Sequence, residues 1–326
     1  MDNAASNHTL QKWIPSKLFF EDGNALCQWL YTGDIRFTHP FFAETIGACK
    51  QHIYKFNPTY RKSVSDISLI PIWAEGLNTV KPSAFIFHVS RCGSTLATQL
   101  LGINERHITL SEVPFFDELL RNQAETDLSV TEFNDIFKAA LNFYGQQRTG
   151  SETKLFIKTD SWHVLFYKQL RELYPDVPFI LLYRDPDEVM RSQQKIRGTQ
   201  AVPGLINPAL FGFDAAVIRQ LSLDEYMAKV LERYYTCFLD IIKTDDNAHL
   251  VNYCEGPIEI VKKIAAISQT VLDEDDMALI NQRAGFHSKH PGQIFAEEKN
   301  KTPILEYLYQ AAQLYAALEE ERKRLT

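Results

Sequence analysis

From residue 83 onward, short apolar runs alternate with stretches of helix-like spacing. This alternation constrains the fold more than any other feature of the chain. Ala84–Val89, Leu155–Lys158, Phe179–Tyr183 and Leu250–Tyr253 read as strands, with a shorter one at His107–Leu110. Ser94–Gly102, Val113–Gln123, Thr131–Tyr144, Trp162–Tyr174, Asp187–Lys195 and Leu223–Lys243 read as helices. Apolar strands alternating with helices make a parallel sheet covered on both faces. Ser222-x-x-Glu225 forms a capping box ahead of the longest helix. Thr302-Pro303 opens the last one, with Pro at its first helical position.

Residues 1–80 read differently. Leu26–Tyr31 and Phe41–Tyr54 carry helix-like apolar spacing, and Trp13, Phe19, Phe20, Trp29, Phe37, Phe41 and Phe42 make the stretch rich in aromatics. The expectation is a mainly helical, aromatic-packed extension over 1–80 and an α/β domain over 81–326. Within that domain, residues 196–221 are the longest stretch rich in turn residues, and such segments often serve as lids.

The net charge of −7 opposes a polyanionic partner, so nucleic-acid binding is not expected. Cys27, Cys49, Cys92, Cys237 and Cys254 are odd in number and lack CxxC spacing, which argues for a reducing compartment and no structural zinc. No N-terminal signal peptide is evident, and the longest strongly apolar run, Val177–Tyr183, is too short to span a bilayer. A cytoplasmic address and no membrane insertion are expected.

The segment Ala84-Phe-Ile-Phe-His-Val-Ser-Arg-Cys-Gly-Ser-Thr-Leu96 reads as strand, tight turn at Ser90–Gly93, and helix from Ser94. Backbone N–H groups and the positive helix end then converge on one point, where an anion can sit. A nucleoside-triphosphate loop would read GxxxxGK[ST]; here Ser94 and Thr95 follow Gly93 directly, and the nearby cation is Arg91. Parallel sheets bind ligands beyond the carboxyl ends of their strands. Lys158, Arg184 and Glu112 all fall at predicted strand ends, with Ser192 eight residues after Arg184. Three cations around an anion-binding turn, in a net-acidic chain, point to a multiply anionic ligand.

Ser90-Arg-Cys-Gly-Ser-Thr-Leu96 resembles the 5′-phosphosulfate loop of the sulfotransferases, P-[KR]-S-G-T-[TS]-x-L. Tyr183-Arg-Asp-Pro-Asp-Glu-Val-Met-Arg-Ser-Gln-Gln-Lys195 is similar to their 3′-phosphate motif, R-D-P-x-D-V-x-x-S-x-x-K. The similarity spans roughly residues 83–290. It implies a P-loop-type α/β fold and 3′-phosphoadenosine 5′-phosphosulfate (PAPS) as donor, without a metal. By this match Arg91, Cys92, Gly93, Ser94 and Thr95 hold the 5′-phosphosulfate, the cysteine through its backbone. Arg184 and Ser192 hold the 3′-phosphate. The spacing from Arg91 to Glu112 is like that of the protein-tyrosine sulfotransferases, which implies Glu112 as general base toward an acceptor hydroxyl or amine. Lys158, in Phe-Ile-Lys-Thr-Asp, resembles the K-[TD]-P segment and would neutralise the bridging oxygen. Such a donor is typically worth about 3 kcal/mol of transition-state stabilisation.

The chain departs from the pattern at Ser90, where relatives carry Pro, at Cys92 in place of Ser, and at Asp160, where Pro is common. Tyr253 resembles the strand-end tyrosine of the R-Y-E-D-L region. Ser288 and Lys289, in a small basic loop, resemble a late nucleotide-contacting S-K pair. His88 is an alternative base, against the plainer reading of a strand-end histidine satisfied by hydrogen bonds. Trp162 is weighed as an adenine-stacking ring against an ordinary core tryptophan, and the thiol of Cys92 as an activated group against an inert one. Two other functions compete with the leading one. They are an Mg-ATP-dependent small-molecule kinase and a non-catalytic nucleotide-binding protein. The acceptor, small molecule or peptide, is not legible in the sequence.

Overall fold

The computed structural model describes residues 9–59, 61–285 and 305–325. Among the described residues, eight strands fall into two sheets: a three-stranded sheet of order β1-β2-β3 and a five-stranded sheet of order β5-β6-β4-β7-β8. The strands are β1 (Trp13–Glu21), β2 (Asn24–Tyr31), β3 (Ser63–Asp66), β4 (Pro82–His88), β5 (His107–Ser111), β6 (Lys154–Lys158), β7 (Phe179–Tyr183) and β8 (Ala248–Asn252). The larger sheet is parallel and flanked by helices, the α/β class the alternation predicts. By contacts the chain divides into two compact units, one of residues 1–83 with 101–157, the other of 84–100 with 158–326.

In the first unit, β1 and β2 form an antiparallel hairpin that pairs Glu21 with Asn24. Its two-residue turn is Asp22-Gly23, with φ of 50° and 79°. Two left-handed residues in an Asp-Gly pair are the signature of the hairpin turn whose twist matches the strands. Leu26–Tyr31 is therefore strand and not the expected helix: the pairing decides between two readings that a short apolar run allows. With β3 present as well, the N-terminal stretch is mixed rather than mainly helical. Phe42–Phe56 is helical as expected. The aromatics pack within this unit, Trp29 lying 4.8 Å from Phe143 and 5.4 Å from Trp73 between ring centroids.

In the second unit, β4 runs parallel to β7, with His88 beside Leu182. β7 runs parallel to β8, with Tyr183 beside Asn252. Every residue of β7 is buried, which is why it reads as a continuous apolar run. The registers bring the carboxyl ends of these three strands to one edge, so the residues that follow each of them become neighbours. Two helix starts are set by local chemistry. Asp185 caps Pro186–Lys195 by accepting the N–H groups of Asp187 and Glu188 at 2.9 and 3.3 Å, with Pro186 next in line. Ser222 and Glu225 form the expected reciprocal box ahead of Leu223–Ile242. The predicted helix over Trp162–Tyr174 is in fact a 3₁₀ segment, Ser161–Phe166, continued by the α-helix Tyr167–Leu173. No helix among the described residues is long and apolar enough to cross a membrane. Thr302-Pro303, Ser288 and Lys289 lie outside the described residues.

Candidate anion site at the carboxyl edge of the sheet

The turn after β4 is conformationally unusual. Ser90, Arg91 and Gly93 have φ of 67°, 51° and 77°. For Ser and Arg the left-handed region carries a steric cost, which the surroundings must offset. His88 does part of this. Its Nδ1 accepts the Ser90 N–H at 3.0 Å, so Nε2 carries the proton it donates to the Thr159 carbonyl at 2.9 Å. With both nitrogens so engaged, and the side chain buried, the plainer reading of His88 holds: it shapes the turn. The helix Ser94–Leu101 begins where the turn ends, its first bond running from the Ala97 N–H to the Gly93 carbonyl at 3.0 Å. Left-handed residues at 90, 91 and 93, followed directly by a helix N-terminus, make the kind of turn that can aim N–H groups at an anion.

Gly93 is required there twice over. Besides its φ, a Cβ added to it would lie 2.6 Å from Cε2 of Tyr253. Tyr253 follows β8 directly, and its ring is held in turn by the Arg184 guanidinium, centred 4.1 Å above it. Arg184 follows β7, is 7% exposed, and donates from Nη1 to the Arg91 carbonyl at 2.9 Å and from Nε to Glu188 at 2.8 Å. Tyr235, from the long helix, donates to the Arg184 carbonyl at 2.7 Å. The residues after β4, β7 and β8 thus make one structure, with Arg184 and Tyr253 packed against the turn. Burial raises the Tyr253 hydroxyl pKa above its ordinary value, so the ring stays neutral.

Lys158 ends β6 and is 1% exposed; its Nζ donates to Thr95 Oγ1 at 3.3 Å. The pairing brings this cation to the first turn of the helix that opens the anion cradle. Ser94 is buried beside it, while Arg91 reaches the other way and donates to the Ile196 carbonyl. Ser192 is half-buried on the helix that Asp185 caps. Cys92 turns inward. Its fully buried thiol donates to the Leu182 carbonyl at 3.4 Å, and burial pushes its pKa up to about 11. The thiol is therefore the inert group of the two readings. Trp162 is buried.

Glu112 belongs to the other unit. It is half-buried, follows β5 directly, and has φ of 55°. Among the described residues only seven non-glycine positions have positive φ, and Ser90, Arg91 and Glu112 are three of them. Strain of this kind concentrates at functional positions, and it is visible only in the backbone.

Sequence reasoning did not find Tyr235 or Gln193. Tyr235 sits in the apolar stripe of a helix, where nothing marks its hydroxyl. Gln193 is one of two adjacent glutamines and has no local signal. The Asp-Gly turn at 22–23 was a readable sign of the N-terminal hairpin.

The structure thus brings a left-handed turn, a helix start, Tyr253 and the buried cations Lys158 and Arg184 to the carboxyl edge of a parallel α/β sheet. Residues 113–274 match the sulfotransferase domain family, a span that begins after the anion turn and includes Lys158, Arg184, Ser192 and Tyr253. That match supports reading the chain as related to the sulfotransferases over this span. No curated protein matches it. Among solved structures it is similar to a sulfotransferase from Alicyclobacillus acidocaldarius, at 12% identity and a TM-score of 0.44, over 76% of this chain and 96% of that one. It is also similar to the sulfotransferase STF9 from Mycobacterium avium, at 12% identity and a TM-score of 0.46, over 84% of this chain and 79% of that one.

Proposed function

We propose that the protein is a cytoplasmic sulfotransferase that moves a sulfuryl group from PAPS to an acceptor hydroxyl or amine, with residues 81–326 as its catalytic region. The observation that carries the reading is Arg184. It is a buried guanidinium at a strand end, packed on Tyr253 and bonded to the carbonyl of Arg91 within the turn. A site for a ligand with two separated anionic groups needs such a cation apart from the turn but tied to it. The missing GK[ST] triplet fits the same ligand, because the sulfuryl group carries less charge than a γ-phosphoryl group and needs no metal-bound triphosphate.

In this reading Arg91, Gly93, Ser94, Thr95 and the Cys92 backbone hold the 5′-phosphosulfate, while Arg184 and Ser192 hold the 3′-phosphate. Tyr253, with Ser288 and Lys289, contacts the nucleotide. Glu112 takes the acceptor proton as the acceptor's oxygen or nitrogen bonds to sulfur. The bond between sulfur and the bridging oxygen breaks, and that oxygen leaves with the electron pair on 3′-phosphoadenosine 5′-phosphate (PAP). Lys158 meets the charge that develops there, at the helix start where Thr95 holds it. The five cysteines, all free thiols, support the cytoplasmic address.

Thermal stabilisation by PAP, PAPS and Mg-ATP tests the donor. A ligand present at about 100 times its Kd adds about 2.7 kcal/mol to a protein it binds only when folded. PAP and PAPS are expected to raise the melting temperature. Stabilisation by Mg-ATP without PAP would reject the donor assignment in favour of a kinase. Transfer of label from PAPS across a panel of small-molecule and peptide acceptors then tests turnover.

A further inference from the structure

Gln193 joins the turn after β4 to the turn-rich segment 196–221. It lies in the last turn of Pro186–Lys195, next to Ser192, and is fully buried. Its Nε2 donates to Ser90 Oγ at 3.3 Å, and its Oε1 accepts the Gly198 N–H at 2.8 Å. One end of the amide thus reaches the first left-handed residue of the anion turn. The other reaches the start of the turn-rich segment 196–221. The buried Gln200 side chain lies close to Gly198, where an added Cβ would sit 2.8 Å from its Oε1. Arg91 adds a second tie by donating to the Ile196 carbonyl.

A buried primary amide is costly unless its groups are bonded, and both hydrogen bonds of this side chain leave its own helix. The geometry serves no capping purpose, because the helix continues two residues beyond Gln193 without it. We infer that Gln193 is a positioning residue that couples the anion turn to the 196–221 segment. An anion that orders Ser90 also orders Gly198 and the chain that follows it. On the reading that this turn-rich segment walls the acceptor, donor binding thereby prepares it. The coupling rests on the proposed donor site only for the anion used as probe; the link from Ser90 to Gly198 stands on geometry.

Amide hydrogen exchange on the full chain tests it, with peptides covering 86–93 and 196–204 followed with and without PAP. Without ligand, Gln193→Leu is expected to speed exchange at Gly198 about tenfold, the effect of losing one hydrogen bond. Gln193→Glu is expected to restore the slow rate. Its carboxylate still accepts from Gly198, and the Ser90 hydroxyl turns to donate to it. PAP is expected to slow exchange over 198–202 in the unmodified protein and to lose that effect in Ser90→Ala. In turnover, Gln193→Leu is expected to raise the acceptor KM more than the PAPS KM. If the Leu variant does not fold, Gln193→Met, of similar length, replaces it. Unchanged Gly198 exchange in the apolar variant overturns the link, as does PAP protection that persists in Ser90→Ala. Failure of PAP to bind the unmodified protein counts instead against the donor assignment, and leaves the ligand-free exchange result to decide the link.

Discussion

Tyr253 occupies the space that any side chain at position 93 would need: a Cβ on Gly93 would sit 2.6 Å from its Cε2. Two strand ends thereby share one packing constraint, and Arg184 closes it from the third.

Gly93→Ala is expected to lower stability by about 1–3 kcal/mol, from left-handed strain together with the clash. Adding Tyr253→Ala removes the clash but leaves the strain, so the double variant recovers part of the loss. Denaturant unfolding of the four forms as a cycle measures this, and simple additivity of the two changes would contradict the packing described.

Arg184→Ala is expected to weaken PAP at least about tenfold, as expected for loss of a charge-assisted contact to phosphate. Arg184→Lys keeps the charge but not the planar fork that bonds the Arg91 carbonyl and covers Tyr253, so it should rescue only partly. Isothermal titration with PAP compares the three, and equal affinity for Lys and Arg forms would reduce the residue to a point charge.

Glu112→Gln is expected to cut sulfuryl transfer about 10²- to 10⁴-fold while PAP binding is retained. Single-turnover transfer and PAP titration on the same preparation separate the two effects. Parallel loss of both would assign Glu112 to binding and not to proton removal.

The carboxyl of Glu319 predicts an acid-side loss of stability. Burial pushes it up, but hydrogen bonds from Arg322, Tyr183 and Asn252 outweigh that and hold it down to about 2. A carboxylate whose pKa falls on folding contributes stability that is complete above its unfolded value, about 4.3, and is lost as pH drops toward 2. Because the group is partly exposed, solvent screening keeps the contribution modest. Melting temperature against pH is expected to fall between pH 5 and 2 in the unmodified protein, and to fall less in Glu319→Gln. Identical curves would mean that the network around Asn252 and Tyr183 does not depend on the charge.

Thiol labelling checks the inward turn of Cys92. In the native protein Cys254, which is exposed, is expected to react first, while Cys92 reacts only on unfolding. Rapid native labelling of Cys92 would place its side chain in the cradle.

What the sequence by itself determined was whatever local chemistry decides. β7 was legible to the residue because a strand buried on both faces is apolar throughout. Ser222 and Glu225 were legible because caps act within one turn. The positions of Arg91, Lys158, Arg184 and Tyr253 followed, since each stands just beside a strand end. Tertiary structure alone decided where side chains point and what they meet. Leu26–Tyr31 became strand through pairing with β1, the His88 ring was committed to Ser90 and Thr159, and Cys92 turned into the core. Tyr253 met Gly93 across 160 positions of chain, and Gln193 met Ser90 across 103. Periodicity reports which face of an element is buried. It carries no record of the partner that register and packing bring to that face.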